Sequence, residues 1–320
     1  LDQPLLTVVV PCYNEDEVFE ETSSQLSAIL KSMIDEKLIK QQSMILFVDD
    51  GSQDRTWDCI RKEIQVNPLV SGIKLARNFG HQNALLAGLC TAKSKSDCVI
   101  SIDADLQDDI QVIRQFVLKY QEGYDIVYGV RRNRQTDTLL KRQTAQWFYR
   151  FMQSIGVTLV YNHADYRLMS KRALENLECF DETKIFLRGI VPLIGFRTAE
   201  IMYDRKDRFA GLSKYPLRKM LTFALNGLTS FSIAPIRVIV LLGFLAFLFS
   251  CLAGGYAIIQ KLLGHTLTGW TSLMASIWFI GGLLLMSIGL IGEYIGNIYE
   301  EVKKRPKYII ESDLFSRQHE

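Results

Sequence analysis

Two short acidic segments carry the residues best suited to chemistry. Asp49-Asp50-Gly51-Ser52-Gln53-Asp54 follows an apolar β-rich run. Carboxylates in that position can accept hydrogen bonds from a base or a ribose, and Gly51 permits a tight turn. An ordinary Asp/Gly turn, with Asp54 capping the next helix, accounts for the same residues equally well. Asp103-Ala104-Asp105 closes a later apolar run. Carboxylates spaced by two at a strand end can hold one hard divalent cation, Mg²⁺ or Mn²⁺, and that cation can bridge two phosphates of a nucleotide. Such a pair alone is a weak signal. Its position strengthens it, because both acidic segments end strands of one sheet and should face one cleft. The chain has neither GxxxxGK[ST] nor GxGxxG. A phosphate ligand would therefore need a metal and basic side chains rather than a glycine cradle.

The elements that must position these residues alternate along the first 130 or so positions. Residues 6–11, 44–49, 70–75, 98–103 and 125–128 read as strands. Helical patterns fall at 15–34 (Asn14 as N-cap), 56–66, 82–92 and 110–122. This βαβ rhythm predicts an α/β domain with a parallel sheet covered by helices on both faces. Ligands in such sheets sit at the carboxyl ends of the strands. Beyond it, residues 139–155 read as a helix, and 165–169 as a strand leading into a short helix. Arg131, Arg132 and Arg134 follow the fifth strand. They are placed to pair with a diphosphate or a lipid phosphate, the alternative being a solvated basic loop. His81 and His163 lack metal-ligand spacing and read as structural.

Composition separates a second part of the chain. The 320 residues are 48% hydrophobic, with a formal net charge of +2, which gives no case for nucleic-acid binding. The six cysteines show no CxxC pair, so they read as reduced and mostly buried rather than as a zinc site or a disulfide framework. No charged-then-apolar signal peptide opens the sequence. Residues 238–259 and 269–292 carry no charge, and each is long enough to cross a bilayer core of roughly 30 Å. Arg237 precedes the first, and Lys303, Lys304, Arg305 and Lys307 follow the second. The positive-inside rule then puts both ends in the cytoplasm, joined by a short outside hairpin. Before the first span lies a basic stretch with Arg205, Lys206, Arg208 and Lys214, with Gly211 as a hinge. From Pro216 an amphipathic pattern reads as a helix lying in the membrane interface, and the basic stretch before it is placed to grip a lipid phosphate. Gly281, Gly282, Gly289, Gly292 and Gly296 give the second span small faces that suit packing between copies of the chain.

Four segments occur in order: Val10-Pro11-Cys12-Tyr13-Asn14-Glu15, Asp49 to Asp54, Asp103-Ala104-Asp105-Leu106-Gln107-Asp108, and Asp165-Tyr166-Arg167-Leu168. Together they resemble glycosyltransferase family 2, whose fold is the Rossmann-like GT-A fold. With two C-terminal spans, the chain is similar to bactoprenol glucosyltransferases and, more distantly, to dolichol-phosphate mannose synthases. The resemblance implies that Pro11, Tyr13, Glu15 and Asp50 contact the nucleoside. It implies that Asp103 and Asp105 handle Mg²⁺ or Mn²⁺ and the diphosphate, and that Asp165 stands where the acceptor attacks. Arg131, Arg134, Arg167, Arg205, Arg208 and Lys214 would bind the acceptor or its phosphate. Asp109 departs from the family, which often has proline there, and this affects only the local turn.

The implied reaction is an inverting transfer of a sugar, first of all glucose, from a UDP-sugar to undecaprenyl or another polyprenyl phosphate, for cell-envelope glycan modification. The implied surroundings are membrane lipids at the cytoplasmic face of the plasma membrane, with a flippase and a second transferase acting downstream. A homologue that uses UDP-N-acetylhexosamine is the alternative within this chemistry. A processive polysaccharide synthase would carry Gln-x-x-Arg-Trp and more spans, and Gln146-Trp147 is only a partial match. A non-catalytic nucleotide-sugar sensor or membrane scaffold would not need both Asp103 and Asp105. The expected division is a GT-A domain over 1–215, an interfacial helix over 216–235, a two-helix transmembrane domain over 236–295 and a cytoplasmic tail over 296–320.

Overall fold

The computed structural model describes residues 3–132, 163–182, 185–204, 234–263 and 269–316. They fall into two units. One holds the sheet and takes back the chain from Pro306 onward; the other holds two long helices.

In the first unit, β1 (Leu6–Cys12) and β2 (Met44–Asp49) are buried along their whole length. Continuous apolar runs of this kind belong to central strands covered on both faces. β3 (Val70–Leu75) and β4 (Cys98–Ser101) flank them, all parallel. Between these strands run α1 (Asp16–Asp35), α2 (Thr56–Val66) and α3 (His81–Lys93), and α4 (Val112–Gln121) follows β4. α1 buries Val18, Phe19, Leu26, Leu30 and Met33, a stripe at helical spacing. Phe19 meets Phe47 of β2 with ring centroids 4.8 Å apart, so helix and sheet share one core.

The sheet is mixed, not purely parallel as the βαβ rhythm predicts. Its order is β7-β5-β6-β4-β1-β2-β3-β8. β5 (Ile126–Arg131) does not lie beside β4. β6 (His163–Ser170) inserts between them, antiparallel to both, and β7 (Thr198–Tyr203) pairs parallel to β5. The reversal has a consequence for chemistry. Ser101, the last residue of β4, pairs with Arg167, so the first residues of β6 reach past the carboxyl end of β4. After β6 come α5 (Lys171–Leu177), the single-turn α6 (Leu187–Ile190) and a 3₁₀ turn over Val191–Ile194.

The far edge is closed by β8 (Ile310–Asp313), antiparallel to β3. The tail expected in the cytoplasm is therefore part of the sheet. Phe315 is buried just beyond it, under the Lys95 ammonium, which lies 5.6 Å from the ring centroid and 2.9 Å from the Ser316 carbonyl. Covering the β3 edge removes a row of open backbone groups.

The second unit contains α7 (Ala234–Leu262) and α8 (Trp270–Val302). Among the described residues, the segment Phe279–Val302 of α8 is long and apolar enough to cross a membrane, and its surface is open. It lies further along the chain than the uncharged stretch 269–292 suggests. The helix runs on through Glu293 because Ile295, Ile298 and Val302 continue the apolar pattern. The expected interfacial helix over 216–235 lies outside the described residues up to position 233, and the helix expected at 139–155 lies outside them altogether.

Candidate active site

The loops after β1, β2, β3 and β4 lie at the carboxyl ends of these parallel strands. Asn14, after β1, takes a left-handed φ of 53°; its backbone N–H donates to Ser52 Oγ at 3.0 Å, and its Oδ1 accepts from Gln53 N–H at 2.9 Å. Asn14 thus locks the β1 loop to the β2 loop instead of capping α1, whose cap position falls to Glu15. Pro11 is buried in β1, and Tyr13 stands 37% exposed at the mouth.

The β2 loop carries Asp50, which is buried. Its Oδ1 accepts from Phe79 N–H at 2.7 Å, and its Oδ2 from Gly80 N–H at 3.0 Å. Burial pushes its pKa up against the pull of these two donors. Gly51, at φ 65°, passes under Arg77; a Cβ there would stand 2.4 Å from the Arg77 backbone carbon. The loop after β3 is therefore seated on the β2 turn, and it delivers His81 as the first residue of α3.

Asp103 follows β4 in a turn where Leu106 is forced to φ 54°. A bulky residue in that region of backbone space is strained, and such strain gathers at functional sites. Burial pushes the Asp103 pKa up to about 6; His81 pulls it down, while Asp165, Asp108 and Asp105 push it further up. His81 Nε2 lies 3.5 Å from Asp103 Oδ1 and 3.6 Å from Asp165 Oδ2, so one imidazole touches both carboxylates. Burial pulls this imidazole's pKa down, but its contact with Asp165 and the charge of Asp103 outweigh that and hold it above the usual histidine value.

Asp165 is reached from every side. Arg167 Nη2 donates to its Oδ1 at 2.6 Å. Arg188, on α6, donates from Nε to Oδ1 at 3.2 Å and from Nη2 to Oδ2 at 3.0 Å. Gln82 Nε2 donates to Oδ2 at 3.3 Å. Ser101 Oγ donates to the Asp165 backbone carbonyl and ties β6 to the end of β4. Burial alone would raise the Asp165 pKa. The His81 contact and the charges of Arg167 and Arg188 reverse this and hold it well below the usual carboxylate range.

Several cations that the sequence offers as acceptor ligands have other partners in the structure. Arg167 is sealed from solvent, and its Nη1 donates to the Leu187 carbonyl, so it holds Asp165 and does not face an acceptor. Arg131 is committed to Asp108, at 3.1 Å, and to Tyr203 Oη, at 3.3 Å. Arg134, Arg205, Arg208 and Lys214 lie outside the described residues. His81, read as structural, stands between the two acidic motifs. Gln82 and Arg188 were not singled out at all. The nearest sequence feature is Gly80, the N-cap of α3 at φ 90°, just before His81 and Gln82.

No cluster of three or more His, Cys, Asp or Glu able to hold a metal exists among the described residues. A hard cation would nevertheless need only Asp103 and Asp105 from the chain. Mg²⁺-like ions are commonly held by one or two carboxylates and complete their shell with substrate phosphates and water. Burial of Asp103 among other carboxylates is relieved by such a charge.

Family models match both units: Glycosyl transferase family 2 over residues 7–178, and the GtrB C-terminal hairpin over residues 234–298. The chain belongs to glycosyl transferase family 2 and is a glycosyltransferase. It is 65% identical to an uncharacterized glycosyltransferase, YkoT, of Bacillus subtilis, over 99% of this chain and 94% of that one. It is 41% identical to the SfII prophage-derived bactoprenol glucosyl transferase of Shigella flexneri, over 95% of this chain and 97% of that one. Among solved structures, the mannosyltransferase PcManGT from Pyrobaculum calidifontis, in complex with GDP-Man and Mn²⁺, aligns over 93% of this chain and 85% of its own, at 15% identity and a TM-score of 0.44.

Proposed function

We propose that this protein moves a hexose, glucose first of all, from a UDP-sugar to a polyprenyl phosphate of the undecaprenyl type at the cytoplasmic membrane face. The observation that carries the reading is the meeting of Asp103 and Asp165 at one nitrogen of the His81 imidazole. Both contact the same Nε2, which supports reading Asp103 as the diphosphate-handling carboxylate and Asp165 as its acceptor-side neighbour. The names of the relatives, bactoprenol glucosyl transferases along nearly the whole chain, support the acceptor class.

Displacing a nucleoside diphosphate from an anomeric carbon builds negative charge on the leaving group. A Mg²⁺ or Mn²⁺ ion held by Asp103 and Asp105 would neutralise that charge. Pro11, Tyr13, Glu15 and Asp50 line the donor side; Asp50 can still accept from a ribose or base, since each carboxylate oxygen takes more than one hydrogen bond. A phosphate monoester has its second pKa near ~6 and is already largely ionised. The acceptor therefore needs orientation rather than deprotonation. Asp165, held ionised by two guanidiniums, suits a positioning role and not that of a general base. A single in-line displacement inverts the anomeric configuration.

α7 and α8 would both span the bilayer as a hairpin, and Arg205, Arg208 and Lys214, which precede it in the sequence, would serve the lipid phosphate. The test is to incubate purified protein with Mg²⁺ or Mn²⁺, undecaprenyl phosphate and a panel of nucleotide-sugars, and to weigh the glycolipid by mass spectrometry. A hexosyl-phosphate-lipid from UDP-glucose is expected. A product from UDP-N-acetylhexosamine alone would move the donor assignment, and no glycolipid from any donor would overturn the reading.

A further inference from the structure

Asp165 alone is outnumbered by the guanidiniums that contact it. One carboxylate, 5% exposed, is held by two guanidiniums. Arg167, 1% exposed, already supplies a one-to-one ion pair at 2.6 Å. Arg188 is the surplus cation, and its side chain is 40% exposed. Asp103 is within its electrostatic reach, but that carboxylate is one the proposed divalent ion would take. With 40% of its side chain open to solvent, Arg188 can share its charge with an arriving anion.

The geometry of Arg188 fits that use. Its Nε and Nη2 take both oxygens of Asp165, which fixes the plane of the guanidinium. Side-on engagement consumes two of the five N–H donors and leaves three for another ligand. The segment that carries Arg188 is itself seated by α3. Leu187 N–H donates to Gln82 Oε1 at 3.1 Å, while Gln82 Nε2 donates to Asp165 Oδ2 at 3.3 Å. One side-chain amide therefore sets both the carboxylate and the backbone beside the arginine. A planar, immobilised guanidinium loses little entropy on meeting a tetrahedral oxyanion.

We infer that Arg188 is a ligand of the acceptor's phosphate group, aimed by Asp165 and seated by Gln82 acting as a positioning residue. This rests on the polyprenyl-phosphate reading and names a cation for it that the acidic and basic motifs of the sequence do not. It also gives Asp165 its task, which is to hold Arg188 rather than to take a proton.

The test uses full-length protein in neutral detergent with geranyl phosphate as a short phosphate monoester, and geraniol as the control without phosphate. Binding is followed by calorimetry. Wild type is expected to bind geranyl phosphate and not geraniol. Arg188→Ala should weaken that binding about 10- to 100-fold, the range for one lost charge-assisted contact. Arg188→Lys should recover part of it. Gln82→Glu keeps the acceptor for Leu187 N–H but sets a second carboxylate against Asp165, and should weaken binding without losing the fold. UDP affinity should stay unchanged in all three variants. Wild-type affinity for geranyl phosphate in folded Arg188→Ala would overturn the assignment and leave the acceptor reading standing. A parallel loss of UDP affinity would move Arg188 to the donor side and overturn it as well. If wild type bound no phosphate monoester, the acceptor reading would fail and this assignment would fall with it.

Discussion

Asp165 keeps its charge through the physiological range because Arg167 and Arg188 both contact it. Its folded pKa is depressed, so its stabilising contribution is complete above the unfolded value near ~3.9 and is lost as pH falls through the folded one. Between pH 5 and 8, then, neither stability nor turnover should show a transition from this group. Asp165→Asn should lower kcat about 10²-fold, the order expected when a reacting group is misplaced, while UDP affinity by calorimetry holds. An acid limb in the wild-type pH–kcat profile that vanishes in Asp165→Asn would make the residue a base and defeat this account. Asp105→Ala should remove the gain in UDP affinity that Mn²⁺ gives wild type, a titration that needs no turnover; an undiminished gain would take Asp105 out of the metal site. Asp50, Asp103 and Asp105 stand out in the sequence because they follow apolar strand runs, whereas Asp165, near the start of β6, comes from the family resemblance. His81, Gln82 and Arg188 do not stand out. Their meeting with Asp165 depends on β6 running antiparallel beside β4, and no local pattern near residue 188 announces that.

At the scale of elements, the parallel strands β1 to β4 and their helices were readable from apolar runs and helical spacing. The reversed strand β6 and the edge strand β8 were not placed by those patterns. β8 is four residues long and lies far along the chain from β3, beyond both long helices, so periodicity alone cannot pair it. Its contribution is testable. Phe315 fills a buried site at the end of β8, and Leu314 N–H donates to the Gly72 carbonyl at 3.0 Å. Ile309, just before β8, accepts from Ala76 N–H at 2.9 Å, at the root of the loop that delivers His81. Phe315→Ala should cost about 3–5 kcal/mol, as for a large buried aromatic. Denaturant unfolding of the purified chain in detergent, with the sheet unit followed by circular dichroism, measures it. A loss under about 1 kcal/mol would mean that the tail only rests on the sheet.

At the scale of the whole molecule, the return of the tail constrains topology. The chain leaves the sheet unit before α7 and re-enters it after α8, because residues from Pro306 onward belong to that unit. A folded sheet cannot be divided by a bilayer, so the path between must cross the membrane an even number of times. If Phe279–Val302 spans, one crossing by α8 alone is therefore excluded, and we propose that α7 supplies the other. The charges agree with the direction: Arg237 stands near the start of α7, and Lys303, Lys304, Arg305 and Lys307 follow α8. We predict that the link between the helices faces outward and the sheet unit inward. Cys179 is exposed on the sheet unit and serves as a natural inside reporter. In intact cells, a membrane-impermeant maleimide should leave Cys179 unlabelled until the membrane is opened. A cysteine introduced by Thr266→Cys, in the link, should react before opening, in a background where Cys179→Ser removes the inside reporter. Labelling of Cys179 in sealed cells would reverse the orientation. Failure of the Thr266→Cys variant to label from outside, with labelling after lysis, would mean that the two helices do not cross as a hairpin.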